Sequence, residues 1–173
     1  MNLRSWGNFP KIKSKSLRFV HPKKLRAAIK NKTELIPYGN GRSYGDSALS
    51  ESIIHVKPYN YFLNFDTEKG VLHVQAGVLL SEILEVIVPR GWFLPVVPGT
   101  RFITLGGAIA NDVHGKNHHR AGSFGCHVRS LTLLRSDGER HECSPTENSQ
   151  LFAATIGGLG LTGLITSAEV TLI

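Results

Sequence analysis

Apolar and polar positions along this chain follow two periods, and the switches between them mark its elements. A short apolar stretch over 17–20 predicts a strand, after which His21 and Pro22 open a helix carrying Leu25, Ala28 and Ile29 on one side. Residues 34–37 and 52–56 predict two further strands, separated by a glycine-rich loop. From Phe62 onward the period becomes two. Strands over 63–66 and 71–76 join through Glu68-Lys69-Gly70 as a hairpin. Ser81 is expected to cap a helix bearing Ile83, Leu84, Ile87 and Val88, which Pro89 and Gly91 close. A second hairpin is expected over 128–135 and 140–143, then a short helix over 148–155 and a β-branched strand over 163–173. The first part thus has parallel character, and the second is built on hairpins.

The stretch 98–125 stands apart from these elements. It holds six glycines, three histidines and one lysine, with Ile103, Leu105, Ile109 and Val113 giving it an apolar side. Gly106 and Gly107 lead into a short helical turn with almost no side-chain bulk. Thr104 is placed to cap that turn, and free N–H groups there would suit an anion or a polar ring edge. Two more glycine clusters lie at 39–45 and 157–163, so thirteen of the eighteen glycines fall in three places. Bare backbone at three sites converging on one ligand suits a long molecule with a diphosphate in its middle.

The remaining chemistry narrows the choice. The chain has 173 residues and a net charge of +7, with ten Lys or Arg before Thr33 and the first acidic residue at Glu34. That basic arm, 4–32, is either a solvated helix face or a binder of nucleic acid or anionic membrane. No aromatic side chains alternate with its charges, so nucleic acid is not expected. The amino terminus lacks the apolar core of a signal peptide and no run is long enough to span a membrane, so a cytoplasmic location is expected. Cys126 and Cys143 lack metal-ligand spacing and read as reduced thiols. Residues 158–163 fit GxGxxG, but a strand pattern follows instead of a helix, which argues against a nicotinamide-type fold. No GK[ST] follows the loop at 39–46. There Arg42 either faces a phosphate or pairs with Asp46. His114, His118 and His119 do not complete a metal set beside Lys116. His114 reads as a hydrogen-bond donor or proton carrier, and Lys116 as a holder of negative charge. His118 and His119 read as exposed loop residues.

Three segments together, YGNGRSYGDS, PVVPGTRFITLGGAIANDVHGKNHHRAGSFG and LFAATIGGLGLTGLI, resemble the FAD-binding domain of vanillyl-alcohol-oxidase-type flavoproteins, also called the PCMH-type domain. Within it, the HGKNHH block is similar to that of oxidases acting on polyprenyl-phosphate sugars. The resemblance implies two α+β lobes, about 17–58 and about 59–173, with FAD extended in the cleft between them. Carried over by motif, Tyr38, Gly39, Asn40, Gly41, Arg42, Ser43, Tyr44, Gly45, Asp46 and Ser47 would wrap the diphosphate. Gly99, Thr104, Leu105, Gly106, Gly107, Asn111, Asp112, Val113 and His114 would line the diphosphate, ribityl chain and flavin, with Thr100 nearby. Ile165 would meet the adenine end through its backbone. His114 and Lys116 would serve catalysis on the substrate side.

Some members of that family hold flavin covalently through a histidine in the first glycine loop. Arg42 matches that position here, so non-covalent FAD is implied. The activity implied is oxidation of a sugar or alcohol carbon by hydride transfer to flavin, with a sugar or polyprenyl-phosphate sugar as substrate, a reductase as a further partner and peripheral membrane contact. Such enzymes carry a substrate-binding cap domain beyond this stretch, so this chain alone is expected to be inactive. The competing readings are a basic adaptor using residues 4–32 and a flavin fold that has lost its cofactor.

Overall fold

The computed structural model of the protein describes residues 2–17, 23, 27–29 and 34–173. The fold is α+β, with helices and strands interleaved along the chain. Strands β1 (Asn2–Leu3) and β2 (Ile12–Lys13) form a small antiparallel pair. Strands β3 (Lys15–Leu17), β4 (Ile36–Tyr38) and β5 (Ser52–His55) make a parallel sheet in the order β3-β5-β4. The strand expected over 17–20 thus begins earlier, and its residues 18–20 lie outside the described ones. So do most residues of the helix expected after Pro22. Its 27–29 turn is helical, and Ile29 is buried in the main core.

The second sheet has five antiparallel strands in the order β6-β7-β10-β8-β9. They are β6 (Phe62–Asp66), β7 (Val71–Gln75), β8 (Val128–Leu134), β9 (Arg140–Cys143) and β10 (Leu164–Thr171). Alternation decides which face goes inward. Leu72 and Val74 of β7, Leu131 and Leu133 of β8, and Ala168 and Val170 of β10 are all buried in one cluster. Helices α1 (Leu80–Ile87) and α2 (Leu105–Ala110) bury Ile83, Ile87, Leu105 and Ile109 in the same cluster. Full burial of each such side chain contributes about 1.5–3 kcal/mol. Two short helices follow, α3 (His118–Ala121) and α4 (Ser149–Thr155). No helix among the described residues is long and apolar enough to cross a membrane.

One sequence expectation is corrected here. Ser81 does not cap α1; it lies inside the first turn and is buried. The cap position is Leu79, in extended conformation, whose N–H donates to Glu82 Oε2 at 2.7 Å. Tertiary pairing replaces the hydroxyl cap. The N–H groups of Leu80 and Ser81 donate to the carbonyls of Ile103 and Arg101, both at 2.9 Å. Orphan donors at a helix start need a partner, and here a neighbouring backbone supplies it. The helix ends as expected: Pro89 follows Val88, and Gly91 takes the left-handed conformation at φ 81°.

Candidate functional site

A cleft of about 510 Å³ opens between the parallel sheet's glycine loop, the start of α2 and the loop before β10. Its size suits a cofactor or a drug-sized ligand. Gly41, Gly106 and Gly160, one from each glycine cluster, all line it.

Local chemistry fixes each wall. At α2, Thr104 is the cap residue, and its Oγ1 accepts the Gly107 N–H at 3.1 Å. Gly106 sits so close to β7's end that an added Cβ would lie 2.9 Å from Ala76 Cβ. The close approach, and not a turn, demands glycine there. The N–H groups of Leu105 and Gly106 donate to the carbonyls of Val78 and Ala76, both at 2.8 Å. The free donors that the sequence suggests at this turn are therefore already committed.

The loop after β4 is different. Among the described residues, no acceptor takes a hydrogen bond from the backbone N–H groups of Gly41, Arg42, Ser43, Tyr44 or Gly45. Gly41 has φ +64°, the left-handed turn that lets successive N–H groups point into one concavity. The loop is tied to the opposite wall where Asn40 Nδ2 donates to the Phe102 carbonyl at 2.7 Å. Gly39 lies against Thr104, whose Oγ1 a Cβ would approach to 2.6 Å.

The third wall docks on the end of α2. The N–H groups of Gly157 and Leu159 donate to the Ile109 and Ala110 carbonyls at 3.0 and 2.8 Å, satisfying helix-terminal acceptors. Leu159 pays for this with φ 54°, a strained value for a residue with a Cβ. Strand β10 follows directly, so the GxGxxG spacing at 158–163 belongs to a turn into a strand.

Sixteen of the sequence-derived positions line the cleft. From the first loop they are Gly39, Asn40, Gly41, Arg42, Ser43, Tyr44 and Ser47. From the long glycine stretch they are Gly99, Thr100, Thr104, Gly106, Gly107, Asn111, Val113 and His114, and from β10 Ile165. Six others lie outside its wall. Tyr38 is buried behind the loop and donates its hydroxyl hydrogen to the Arg4 carbonyl at 3.0 Å. Burial raises its pKa, partly offset by the nearby Arg42 and Arg4 charges. Leu105 points into the core. Asp112 has φ 42° and accepts the Gly125 N–H on Oδ1 at 2.8 Å, which shapes the turn after α2. The Asp46 carbonyl accepts from Leu49 and closes the first loop, while Gly45 is exposed beside it. Lys116 is exposed, in a loop pinned where Asn117 Nδ2 donates to the Pro95 carbonyl at 2.9 Å.

Arg42 resolves an open choice. Among the described residues it makes no ion pair with Asp46 or any other carboxylate, and its guanidinium lies 5.7 Å from the Trp6 ring centroid. Trp6, Pro37, Ala48, Val56, Pro98, Ile103, Ala110, Leu159, Gly160, Gly163 and Leu164 also line the cleft and were not named from sequence as site residues. Gly160 and Gly163 belong to the third glycine cluster. Nothing local marks Trp6, because the fold brings it there from the chain's start. His114 also lines the cleft, and its ring meets that of His118 edge-on at 5.8 Å.

The cleft's residues fit a diphosphate-bearing, ring-ended ligand: uncommitted N–H groups, one unneutralised arginine and bare glycine walls. Comparison with known proteins agrees. The family described as FAD binding domain matches residues 23–144. Decaprenylphosphoryl-beta-D-ribose oxidase of Mycolicibacterium smegmatis is 41% identical over 176 residues, covering 97% of this chain and 38% of that protein. L-gulonolactone oxidase of Mus musculus is 33% identical over 130 residues, covering 73% of this chain and 29% of that protein. Delta(24)-sterol reductase of Homo sapiens is 32% identical over 111 residues, covering 64% and 22%. The chain thus spans well under half the length of each of these relatives. With a family match over most of its residues and 41% identity to a relative across 97% of its length, this chain belongs to the FAD binding domain family, and FAD is its cofactor.

Proposed function

We propose that the chain is the cofactor-holding part of an oxidoreductase that oxidises a sugar or alcohol carbon, with a polyprenyl-phosphate sugar as the favoured substrate class. The observation that carries the reading is the convergence of three separated glycine segments on one cleft, with unbonded N–H groups in one of them. The substrate class rests on the 41% identity to an enzyme named for decaprenylphosphoryl-ribose. Bound FAD supplies the hydride acceptor.

The chain's own residues divide the work. N–H groups of residues 41–44 and the Arg42 charge hold the diphosphate without covalent attachment. Gly99, Thr100 and Asn111 flank the ring system, and the Ile165 backbone takes the adenine end. His114, at the cleft wall, holds or moves a proton on the substrate side. Lys116, two residues on and exposed, faces an anionic group outside the cleft, so its part is substrate binding. The lobes divide at about residue 58, and a substrate cap contributed by further chain completes the catalytic site. A reductase partner and contact with a membrane surface carrying the lipid-linked sugar follow from the same substrate class.

Titration with FAD, read by quenching of flavin fluorescence, tests the cofactor site in this chain. Saturable binding is expected, together with a yellow protein on purification, and no binding would overturn it. For the activity, the intact protein is mixed anaerobically with a polyprenyl-phosphate ribose and, separately, with an aldonolactone. Bleaching of the visible flavin band by the former alone supports the substrate class. Bleaching by the lactone alone replaces it.

A further inference from the structure

Trp6 reaches the cleft from a segment that precedes the family match, which begins at residue 23. That segment is fastened to the glycine loop. The Trp6 N–H donates to the Ser43 carbonyl at 3.0 Å, and the Arg4 carbonyl accepts from the Tyr38 hydroxyl at 3.0 Å. Leu3 is buried in a small core with Tyr38 and Ile53. The backbone of 3–6 thereby backs the loop, and an added Cβ on Gly41 would come within 3.0 Å of the Arg4 carbonyl.

Against this backing the Arg42 guanidinium lies over the exposed Trp6 ring. An aromatic face attracts a cation but carries no net charge, so it orients the guanidinium without neutralising it. A carboxylate partner would do both. Asp46 stands four residues away on the same loop, yet no ion pair forms with it among the described residues.

We infer that Trp6 is a positioning residue for the cofactor's diphosphate: its ring holds Arg42 at the cleft wall, away from Asp46, so that a full positive charge stands beside the unbonded N–H groups of the loop. The inference rests on the cleft being the FAD site, as proposed above. It makes the segment before the matched domain part of the binding machinery, acting through Arg42.

The test is a double-mutant cycle on the purified protein, with FAD affinity measured by flavin fluorescence at several salt concentrations. W6A is expected to weaken FAD binding about two- to fivefold, the range of an exposed cation–π contact. W6F, which keeps a ring face, restores most of the loss. R42Q loses more, and adding W6A to R42Q costs nothing further, because the ring acts only through the guanidinium. Dependence on salt decides between orienting and merely structural roles: W6A should flatten it as R42Q does. W6L, which retains bulk without a π face, repeats the measurement where W6A folds poorly, with the same expectation. Losses from W6A and R42Q that multiply independently, or a W6A loss with unchanged salt dependence, overturn the inference. Wild-type protein that binds no FAD overturns the site itself, a separate result.

Discussion

The start of α2 and the loop at 39–45 are both glycine-rich, both closely packed, and both wall the same cleft, yet their N–H groups are used in opposite ways. At α2, glycine is what close packing allows. Ala76 and Thr104 press against Gly106 and Gly107, and the turn's N–H groups are consumed by the Val78 and Ala76 carbonyls and by Thr104 Oγ1. In the loop, Gly41 holds a left-handed turn whose neighbouring N–H groups are bonded to no described acceptor. A helix start beside a cleft is therefore not by itself an anion site. What decides is whether its donors are already taken.

Substitutions can break this contrast. The largest effect is expected from Gly106→Val, which forces a branched side chain against Ala76. Such overpacking should cost about 3 kcal/mol in urea unfolding. A variant as stable as wild type would show that the α2 start is not closed by packing. Gly41→Ala strains the left-handed turn, sets a Cβ against the Tyr38 hydroxyl and the Arg4 carbonyl, and should also act on the ligand. Strain at positive φ costs about 1–2 kcal/mol of stability. FAD affinity should fall roughly tenfold as one charge-assisted N–H contact is misdirected. If the stability falls but affinity holds, the loop is not the diphosphate cradle. Thr104→Val removes the acceptor for the Gly107 N–H and should cost about 1 kcal/mol of stability.

The smallest effect lies far from the cleft and serves as a control. Burial, then the neighbouring Glu142 and Glu147 carboxylates, raise the Cys143 thiol above its ordinary 9.0. As pH rises through that value the unfolded thiol loses its proton first. The folded state then binds more protons, so stability is whole below this pH and declines above it. Cys143→Ala should flatten the alkaline decline in urea midpoints while leaving FAD affinity unchanged. Some decline remains, because burial also raises Tyr38 and Tyr59. A change in FAD affinity would mean that the sheet's far edge is coupled to the cleft.

Much of the fold was legible in the sequence because it is local. The hairpin about Glu68-Lys69-Gly70, the second hairpin about Asp137-Gly138 and the final strand all form within two residues of their expected limits. Period and turn residues suffice for these. The cap of α1 was not legible. Ser81 has the right side chain, but the carbonyls of Arg101 and Ile103 satisfy the helix start from far along the chain. Nor did sequence separate Leu105, Asp112 and Tyr38, which build the walls from behind, from their neighbours, which line the cleft.

By itself the sequence determined where bare backbone would lie, which strands would pair as hairpins and which family's motifs the chain carries, since each follows from residue type at short range. Only the tertiary structure decided which N–H groups remain free, whether Arg42 meets a carboxylate or a ring, and that Trp6 belongs to the cleft. Those outcomes depend on partners distant along the chain, and a hydrogen bond or a charge has no local mark of whether its partner has been found.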